Sequence, residues 1–262
     1  MDLRNAHVLL TGASGGIGAA LVSALAARGA RLILTGRRSD ILEEMAEGVG
    51  GQSITADLTQ PGEPARVLAE AGRVDVLIAN AALPASGLLS EYTVDQVDRA
   101  LAVNLRAPIV MAKLAGEHMA ARGAGHLVFM SSLAGKNASA HTALYNATKF
   151  GLRGFALALR EDLKPHGVGV STILPGPVRD SGMLADTDVK VPRIGTRSPA
   201  DVAEATVGAI DRNRAEVVVA PWSLRLAGAL GNLAPDVAGV VQRRSGGEKI
   251  LAAVSAAQRT KR

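Results

Sequence analysis

The sequence contains no cysteine and very few aromatic residues. Its 262 residues include no Cys, and Phe, Trp and Tyr together make up 2%. The missing thiols exclude a disulfide scaffold, a Cys-ligated metal and a Cys nucleophile, and they fit a reducing compartment. Because hydrophobic residues still reach 48%, the core must consist of Ala, Val, Leu and Ile, as in a buried parallel sheet covered by helices.

Signals for export, membrane insertion and metal binding are missing as well. The N-terminal MDLRNAHVLL lacks the basic-then-apolar shape of a signal peptide, and no run of about eighteen apolar residues occurs. We therefore expect a cytoplasmic protein. The five histidines are scattered and form no set with Asp or Glu at metal-ligand spacing, so the sequence predicts no metal site.

The net charge of +5 is concentrated at the C-terminus. Residues 240–262 contain six basic side chains and one acid, so residues 1–239 carry no net charge. The basic balance therefore does not indicate a nucleic-acid face, and no series of aromatic residues for base stacking accompanies it. We expect no nucleic-acid partner.

A glycine-rich turn follows the first apolar run. Residues 7–11 (HVLLT) predict a strand, residues 12–18 (GASGGIG) predict a turn, and a helical pattern then continues to Arg28. Glycines let the backbone approach a pyrophosphate, and a helix N-terminus offers free N–H groups. The arrangement indicates a dinucleotide site, and the alternative is a plain tight turn. The candidate cofactor residues here are Gly12, Ser14, Gly16, Ile17 and Gly18.

The second predicted strand, residues 31–35, ends in arginines and not in an acid. In NAD-binding versions of this unit, a carboxylate near this point holds the ribose hydroxyls. Here Arg37 and Arg38 follow the strand, and a guanidinium can bind the 2′-phosphate of NADP. We predict NADP as cofactor, with Arg37 as phosphate ligand because it is nearer the strand. Alternatively, both arginines are solvated and pair with acids of the next helix, in which case NAD would serve.

Further apolar runs predict five more strands, separated by helical patterns. The runs are residues 52–56, 74–79, 126–130, 168–174 and 216–220. Strands that alternate with helices favour an α/β fold, here a Rossmann-type doubly wound parallel sheet of about seven strands in a single domain. Ligands of such sheets bind beyond the carboxyl ends of the strands.

Small and polar residues stand at those carboxyl ends. Asp57 and Leu58 follow the third strand, where the carboxylate could meet an adenine amino group or cap the next helix. Asn80 and Ala81 follow the fourth strand and suit a cofactor lying close over the strand tips. Asn104 lies among apolar residues of a helix, where it either binds a backbone group or serves the site.

Three side chains between residues 129 and 150 can carry acid–base chemistry. Tyr145 and Lys149 are four apart on one face of a predicted helix, and Ser132 stands at the end of the fifth strand. A nearby ammonium favours the phenolate, which would suit the tyrosine to acid–base work near neutral pH. The serine hydroxyl could hold a substrate oxygen in line with the phenol. Each feature alone also occurs on ordinary surface helices and strand ends.

The pattern becomes irregular after the sixth strand. Residues 176–197 have mixed charge and no period, and they predict a lid over the substrate. Residues 222–242 are apolar and could, with the basic tail 243–262, rest on an anionic membrane surface. We favour instead a helix that completes the core or an oligomer interface. We expect one NAD(P)-binding catalytic domain over residues 1–242, followed by the tail.

Together these motifs resemble the short-chain dehydrogenase/reductase family, in the subgroup with chains of about this length. The resemblance covers residues 5 to about 220 and implies an NAD(P)-dependent oxidoreductase that interconverts a carbonyl and a secondary alcohol. It also implies a homodimer or homotetramer packed through the helix that carries Tyr145. The motifs are TGASGGIG at 11–18, Asp57, NAA at 80–82, Asn104, Ser132, YNATK at 145–149 and PGPV at 175–178.

The resemblance implies a role for each catalytic residue. Tyr145 would exchange a proton with the substrate oxygen, and Ser132 would orient that oxygen. Lys149 would lower the tyrosine pKa and bind the nicotinamide ribose, while Asn104 would hold a water that links Lys149 to solvent. The remaining implied cofactor contacts are Gly12, Gly16, Gly18, Arg37, Asp57, Leu58, Asn80, Ala81, Pro175, Gly176 and Val178.

Two residues depart from the family pattern. Ala82 replaces the usual glycine and leaves less space by the cofactor, and Asp180 replaces a threonine that normally contacts the nicotinamide carboxamide. Ser181 could substitute for that threonine. A lipophilic substrate is favoured by an apolar lining of Leu83, Leu88, Leu89, Leu133, Met183 and Leu184. The alternative function is a non-catalytic NADP(H)-binding sensor or scaffold, against which the joint presence of all four catalytic residues argues.

Overall fold

The computed structural model describes residues 1–179, 195–225, 252–253 and 255–258, which form one seven-stranded sheet with flanking helices. All neighbouring strands pair in parallel, in the order β3-β2-β1-β4-β5-β6-β7. The predicted α/β fold is confirmed, and strand boundaries differ from the prediction by at most two residues. The strands are β1 (His7–Thr11), β2 (Arg31–Gly36), β3 (Gln52–Thr55), β4 (Val76–Ala79), β5 (Gly125–Met130), β6 (Val168–Pro175) and β7 (Glu216–Val219).

Helices cover both faces of the sheet. One core packs α1, α2 and α7 against the strands, and a second core packs α3, α5 and α6 against the other face. Within the described ranges the α-helices are α1 (Gly16–Ala26), α2 (Ser39–Val49), α3 (Glu63–Ala71), α4 (Val94–Leu101), α5 (Ala107–Arg122), α6 (Ala143–Leu163) and α7 (Pro199–Asp211).

Successive strand residues point into different cores. On β1, Val8 and Leu10 enter the first core, whereas Leu9 enters the second. Since both faces are buried, the strands read as continuous apolar runs and not as an alternation of polar and apolar residues. The scarce aromatics contribute one edge-to-face pair, Phe129 with Phe155, whose ring centroids are 5.6 Å apart.

The strand order places a binding crevice between β1 and β4. The chain runs from β1 outward to β3, then crosses to β4 on the other side of β1. Loops that leave the two strands at this reversal turn to opposite faces, which opens a crevice at the carboxyl edge. The glycine turn after β1 and Asn80 after β4 both lie at this edge.

The predicted lid, residues 176–197, is described only at its two ends. Val178 forms a parallel β-bridge with Arg197, and the Arg179 N–H donates to the Arg197 carbonyl at 2.9 Å. None of the helices within the described ranges is both long and apolar enough to cross a membrane. Outside the described residues lie Asp180, Ser181, Met183, Leu184, most of 222–242 and most of the tail 243–262.

His126 on β5 is a buried titratable group whose effect on stability can be measured. Its Nε2 lies 2.8 Å from Ser171 Oγ, which donates to the Arg214 carbonyl. Burial lowers the pKa of His126 from 6.5 to about 3. The unfolded chain therefore takes up this proton first as pH falls. The contribution of His126 to stability is complete above its unfolded pKa and declines between pH 6.5 and 3.

We predict that His126→Gln removes this part of the pH dependence of the unfolding free energy. Between the two pKa values, His126 lowers the free energy of unfolding by about 1.4 kcal/mol for each pH unit that the pH falls. Urea unfolding of the wild type and the variant below pH 6.5 measures this slope. His118→Gln, on the exposed side of α5, should keep the wild-type slope. Identical slopes in all three proteins would show that His126 takes up its proton at the same pH in the folded and unfolded states, contrary to a lowered pKa.

Candidate active site

The turn after β1 is crowded against the loop after β4. Gly12 has φ +67°, and its N–H donates to the Thr35 carbonyl at 2.8 Å. A Cβ at Gly12 would lie 2.8 Å from Ala81 Cα, and a Cβ at Gly18 would lie 2.5 Å from the Ala13 carbonyl oxygen. Only glycine fits both positions. The N-cap of α1 is Gly15, which has no side chain to accept hydrogen bonds from the first turn of the helix. The N–H groups of that turn therefore face the crevice edge without a side-chain acceptor.

Thr11 and Asn80 hold this turn in place. Thr11 Oγ1 accepts from the N–H groups of Asn80 and Ala81 at 3.0 and 2.9 Å. Asn80 Nδ2 donates to the carbonyls of Thr11 and Gly12 at 3.0 and 3.1 Å. The Asn80 amide group, predicted as a cofactor contact, therefore acts on the protein's own backbone and joins the ends of β1 and β4.

The two arginines after β2 differ in their surroundings. Arg38 donates from its guanidinium to the Ser14 carbonyl in the glycine turn. Arg37 is exposed, and within the described residues it makes no hydrogen bond or ion pair. Neither arginine pairs with an acid of α2, although the sequence allowed that alternative. The guanidinium of Arg37 can therefore bind an anion beside the turn, whereas that of Arg38 stabilises the turn itself.

Asp57 and Leu58 lie at the end of β3. Asp57 Oδ1 accepts from the Thr59 N–H at 3.0 Å and closes a short turn. The expected alternative that Asp57 caps α3 is wrong, because that helix begins later, with Gly62 at its N-cap. Leu58 is buried in the second core.

Asn104 lies in a π-helical turn, residues 102–106, between α4 and α5. It is 1% exposed, and both ends of its amide bind Leu83: Oδ1 accepts from the N–H at 2.7 Å, and Nδ2 donates to the carbonyl at 3.0 Å. The side chain thus binds a backbone group, one of the two predicted alternatives. With both ends of its amide engaged on Leu83, the side chain is committed to holding the loop after β4.

Ser132 and Tyr145 face each other across the start of α6. Ser132 follows β5, and its Oγ accepts from the Ala134 N–H at 3.1 Å and donates to the Pro175 carbonyl at 3.5 Å. The Ser132 hydroxyl also acts on the Tyr145 phenol and lowers its pKa. The Tyr145 N–H donates to the Ala85 carbonyl at 3.1 Å, which ties the start of the helix to the loop after β4.

Lys149 lies one helical turn beyond Tyr145 and is 3% exposed. Its Nζ donates to the Met130 carbonyl at 2.9 Å and is 5.7 Å from the centroid of the Tyr145 ring. Burial lowers the pKa of Lys149 to about 8. The sequence therefore correctly predicted that the two side chains share one face of α6.

The pKa of Tyr145 moves in the direction opposite to the expected one. Burial raises it, and the hydrogen bond from Ser132 lowers it by less. The prediction that the phenol of Tyr145 is easier to ionise than a free tyrosine is wrong for this structure. Burial penalises the phenolate more than the neighbouring groups favour it.

The PGPV segment closes the site on the β6 side. The Gly176 N–H donates to the Val219 carbonyl at 3.0 Å, and a Cβ at Gly176 would lie 2.9 Å from that of Ala220. Pro175 brings its carbonyl to Ser132, and Val178 continues into the bridge with Arg197. Of the predicted apolar lining, Leu83 and Leu133 are half-buried, whereas Leu88 and Leu89 are exposed.

A family model described as short chain dehydrogenase matches residues 6–191. The chain belongs to the short-chain dehydrogenase family. Among its relatives is the ketoacyl reductase HetN of Nostoc sp., which is 34% identical over 222 residues, 81% of this chain and 77% of HetN.

Solved structures of this family have the same fold. A short-chain dehydrogenase from Sphingobium yanoikuyae, in complex with NADPH, superposes with a TM-score of 0.76 at 29% identity, covering 88% of this chain and 96% of that one. The bulky-bulky ketone specific alcohol dehydrogenase from Comamonas testosteroni superposes with a TM-score of 0.74 at 27% identity, covering 81% and 85%. The chain is accordingly an oxidoreductase of the family that uses NAD(P).

The structure also reveals polar residues that the sequence analysis did not single out. Thr11 organises the glycine turn, and Asn146 lies buried beside Tyr145. Glu216 on β7 pairs with Lys136 and with Arg153. Asn146 stands inside the YNATK motif, where a polar residue between two candidate catalytic ones is a usable signal. The partners of Thr11 and Glu216 are distant in sequence, so no local pattern indicates them.

We predict that Gly18→Ala raises the Kd for the cofactor at least about tenfold, which corresponds to a loss of about 1.4 kcal/mol or more of binding free energy. The added methyl would overlap the carbonyls of Gly12 and Ala13 and displace the turn. Fluorescence titration with NADPH measures the effect. Gly48→Ala on α2 is the matched control, since a Cβ there meets nothing within 4 Å. Unchanged affinity in Gly18→Ala would place the cofactor away from this turn.

Proposed function

We propose that this protein is an NADPH-dependent reductase that interconverts a carbonyl and a secondary alcohol, with Tyr145 as the general acid and base. The observation that carries the proposal is the grouping of Tyr145, Ser132 and Lys149 at the carboxyl edge of the sheet, next to an uncapped helix N-terminus. Ligands of doubly wound sheets bind at this edge.

The residues around the turn fit a dinucleotide. Gly12 and Gly18 let the turn pack tightly against the protein's own backbone, where a Cβ would clash, and the start of α1 offers N–H groups to a pyrophosphate. Arg37 supplies an unpaired guanidinium at the end of β2 for a 2′-phosphate. When bound, NADPH supplies the hydride. Lys149, on the helix facing this edge, is the residue we assign to the nicotinamide ribose.

The protein's own groups move the proton. In the reducing direction, the neutral phenol of Tyr145 donates its proton to the carbonyl oxygen as that oxygen gains negative charge. Its raised pKa keeps Tyr145 protonated and ready to donate. Ser132 donates a hydrogen bond to the same oxygen, and the charge of Lys149 stabilises the phenolate left behind. In the oxidising direction the phenolate takes the proton back.

The substrate class is a lipophilic ketone or its alcohol. Leu83 and Leu133 flank the catalytic groups, and Leu88 and Leu89 present apolar surface on the loop after β4. The names of the relatives support the same class, since one is a ketoacyl reductase and another acts on bulky-bulky ketones. An apolar pocket favours such substrates over charged sugars.

The proposal extends to the location, oligomeric state and domain organisation of the enzyme. It works in the cytoplasm as a homodimer or homotetramer, with residues 1–242 as catalytic domain and 243–262 as a basic tail.

A second candidate function is an NADP(H)-binding sensor without turnover. Such a protein would bind cofactor through the same turn but would not need Ser132, Tyr145, Lys149 and Asn104 together.

We predict that Tyr145→Phe lowers kcat roughly 10²- to 10⁴-fold while NADPH affinity is kept, because only the proton donor is removed. A panel of lipophilic ketones with NADPH, followed by absorbance, provides the assay. Tyr92→Phe is the matched control, since its hydroxyl donates to the Ser86 carbonyl outside the catalytic group. Full turnover by Tyr145→Phe would remove the assignment. Tight NADPH binding without turnover on any ketone by the wild type would favour the sensor.

We predict that Arg37→Glu weakens NADPH binding at least about tenfold and leaves NADH binding nearly unchanged, because only NADPH carries the 2′-phosphate. Parallel fluorescence titrations with both cofactors measure the difference. Arg31→Glu makes the same charge change at the exposed opposite end of β2 and should affect neither. An equal loss for both cofactors would mean that Arg37 acts on the turn and not on the phosphate.

A further inference from the structure

Asn146 uses every hydrogen-bonding position of its amide on one loop. The loop, residues 133–142, connects β5 to α6 and lies between Ser132 and Tyr145. Asn146 Nδ2 donates to the carbonyls of Ala134 and Asn137 at 2.6 and 2.7 Å. Its Oδ1 accepts from Thr142 Oγ1 and, at 3.4 Å, from the Ser139 N–H. The side chain is only 7% exposed, so these bonds are shielded from water.

One of these bonds reaches the candidate catalytic serine through a single residue, Ala134. Asn146 holds the carbonyl of Ala134, and the N–H of the same residue donates to Ser132 Oγ at 3.1 Å. The position of Ala134 therefore determines which lone pair of Ser132 Oγ accepts a hydrogen bond from the backbone. The hydroxyl proton must then point elsewhere.

Ser132 Oγ donates to the Pro175 carbonyl at 3.5 Å, which is a long hydrogen bond. The same hydroxyl also acts on the Tyr145 phenol and lowers its pKa. To donate to a reacting oxygen, the hydroxyl must turn away from Pro175. Because the Ala134 N–H binds Ser132 Oγ, anything that holds Ala134 in place keeps that oxygen beside Tyr145, and the shortest described hydrogen bond to Ala134 comes from Asn146.

We propose that Asn146 is a positioning residue that, through Ala134, holds Ser132 Oγ beside Tyr145 and within reach of the substrate oxygen. The proposal deepens the proposed function, on which its kinetic consequence rests. Asn146 itself touches no reacting atom. Its position beside Tyr145 on α6 couples the orientation of the serine to the same helix that carries the acid–base residue.

The loop has a second anchor that does not depend on Asn146. Lys136 pairs with Glu216 on β7, and Glu216 also pairs with Arg153 on α6 at 2.5 Å. Burial raises the pKa of Glu216, but the hydrogen bonds from Lys136 and Arg153 more than offset this, so the carboxylate stays charged. The loop should therefore remain attached when the Asn146 amide is removed, with Ala134 free to shift.

A titration that needs no substrate tests the proposal. The chain has two tyrosines, so a Tyr92→Phe background labelled with fluorotyrosine gives one ¹⁹F signal, from Tyr145. Fluorination brings the phenol into an accessible pH range. In this background we would compare the unaltered site with Asn146→Ala, Ser132→Ala, the double variant, and Thr142→Val. Asn146→Asp serves as a second variant, because it keeps the acceptor for Thr142 but replaces the donors to both carbonyls.

We expect Asn146→Ala and Ser132→Ala to raise the apparent pKa of Tyr145 alike, because either change removes the serine's hydrogen bond. The double variant should show no more than the Ser132→Ala shift, and Thr142→Val should leave the value unchanged. The proposal is overturned if Asn146→Ala leaves the pKa unchanged, if the two changes add, or if Thr142→Val acts equally. If Asn146→Ala does not fold, Asn146→Asp is compared with and without Ser132→Ala, because the new carboxylate by itself raises the pKa of Tyr145. A shift that is smaller in the Ser132→Ala background supports the proposal, and a shift of equal size in both backgrounds overturns it.

Kinetics then separates this proposal from the function on which it rests. With an active ketone, we expect Asn146→Ala to lower kcat on the order of tenfold to a hundredfold while the KM for NADPH is unchanged. In the Ser132→Ala background the same change should have little effect. A wild type inactive on every ketone would remove the proposed reaction, and the ¹⁹F result would still decide whether Asn146 orients Ser132.

Discussion

The site depends on how closely two backbones approach each other at the reversal of the sheet. The turn after β1 lies so near the loop after β4 that a single methyl on Gly12 would reach Ala81 Cα at 2.8 Å. Thr11 and Asn80 enforce this approach with hydrogen bonds between the two strand ends. The same closeness leaves the start of α1 uncapped by any side chain and open to an anion. A larger side chain in the turn would therefore disrupt both the candidate anion site and the shape of the crevice.

On the far side of the crevice, burial determines the electrostatics. Tyr145 and Lys149 share one face of α6, where Lys149 is buried and Tyr145 is half-buried. Burial raises the pKa of Tyr145 and lowers that of Lys149, so it favours the neutral form of each. A neutral phenol is the protonation state that a general acid needs. The backbone carbonyl of Met130 holds the lysine ammonium close to the ring. The site is thus suited to donate a proton first and to stabilise the resulting phenolate afterwards.

Local patterns predicted most of the fold and the identity of the principal side chains. Apolar runs located the seven strands, because strands buried on both faces need continuous hydrophobic residues. The four-residue spacing placed Tyr145 and Lys149 on one face. What the sequence did not settle depends on tertiary contacts. Arg38 folds back onto the glycine turn, Leu83 is the backbone partner of the Asn104 amide, and burial raises the pKa of Tyr145. Each of these involves segments whose closeness only the assembled sheet creates.

The polar residues around the catalytic group follow one rule. Asn80, Asn104 and Asn146 each use their amide to bind backbone groups at the carboxyl edge of the sheet. These backbone groups lie at strand ends or in connections without long helices or strands, so they need side-chain partners when buried. An amide supplies a donor and an acceptor at once and so holds a loop without adding charge near Lys149. The three asparagines therefore account for how irregular segments can present Ser132 and the glycine turn with the rigidity that proton transfer and cofactor binding demand.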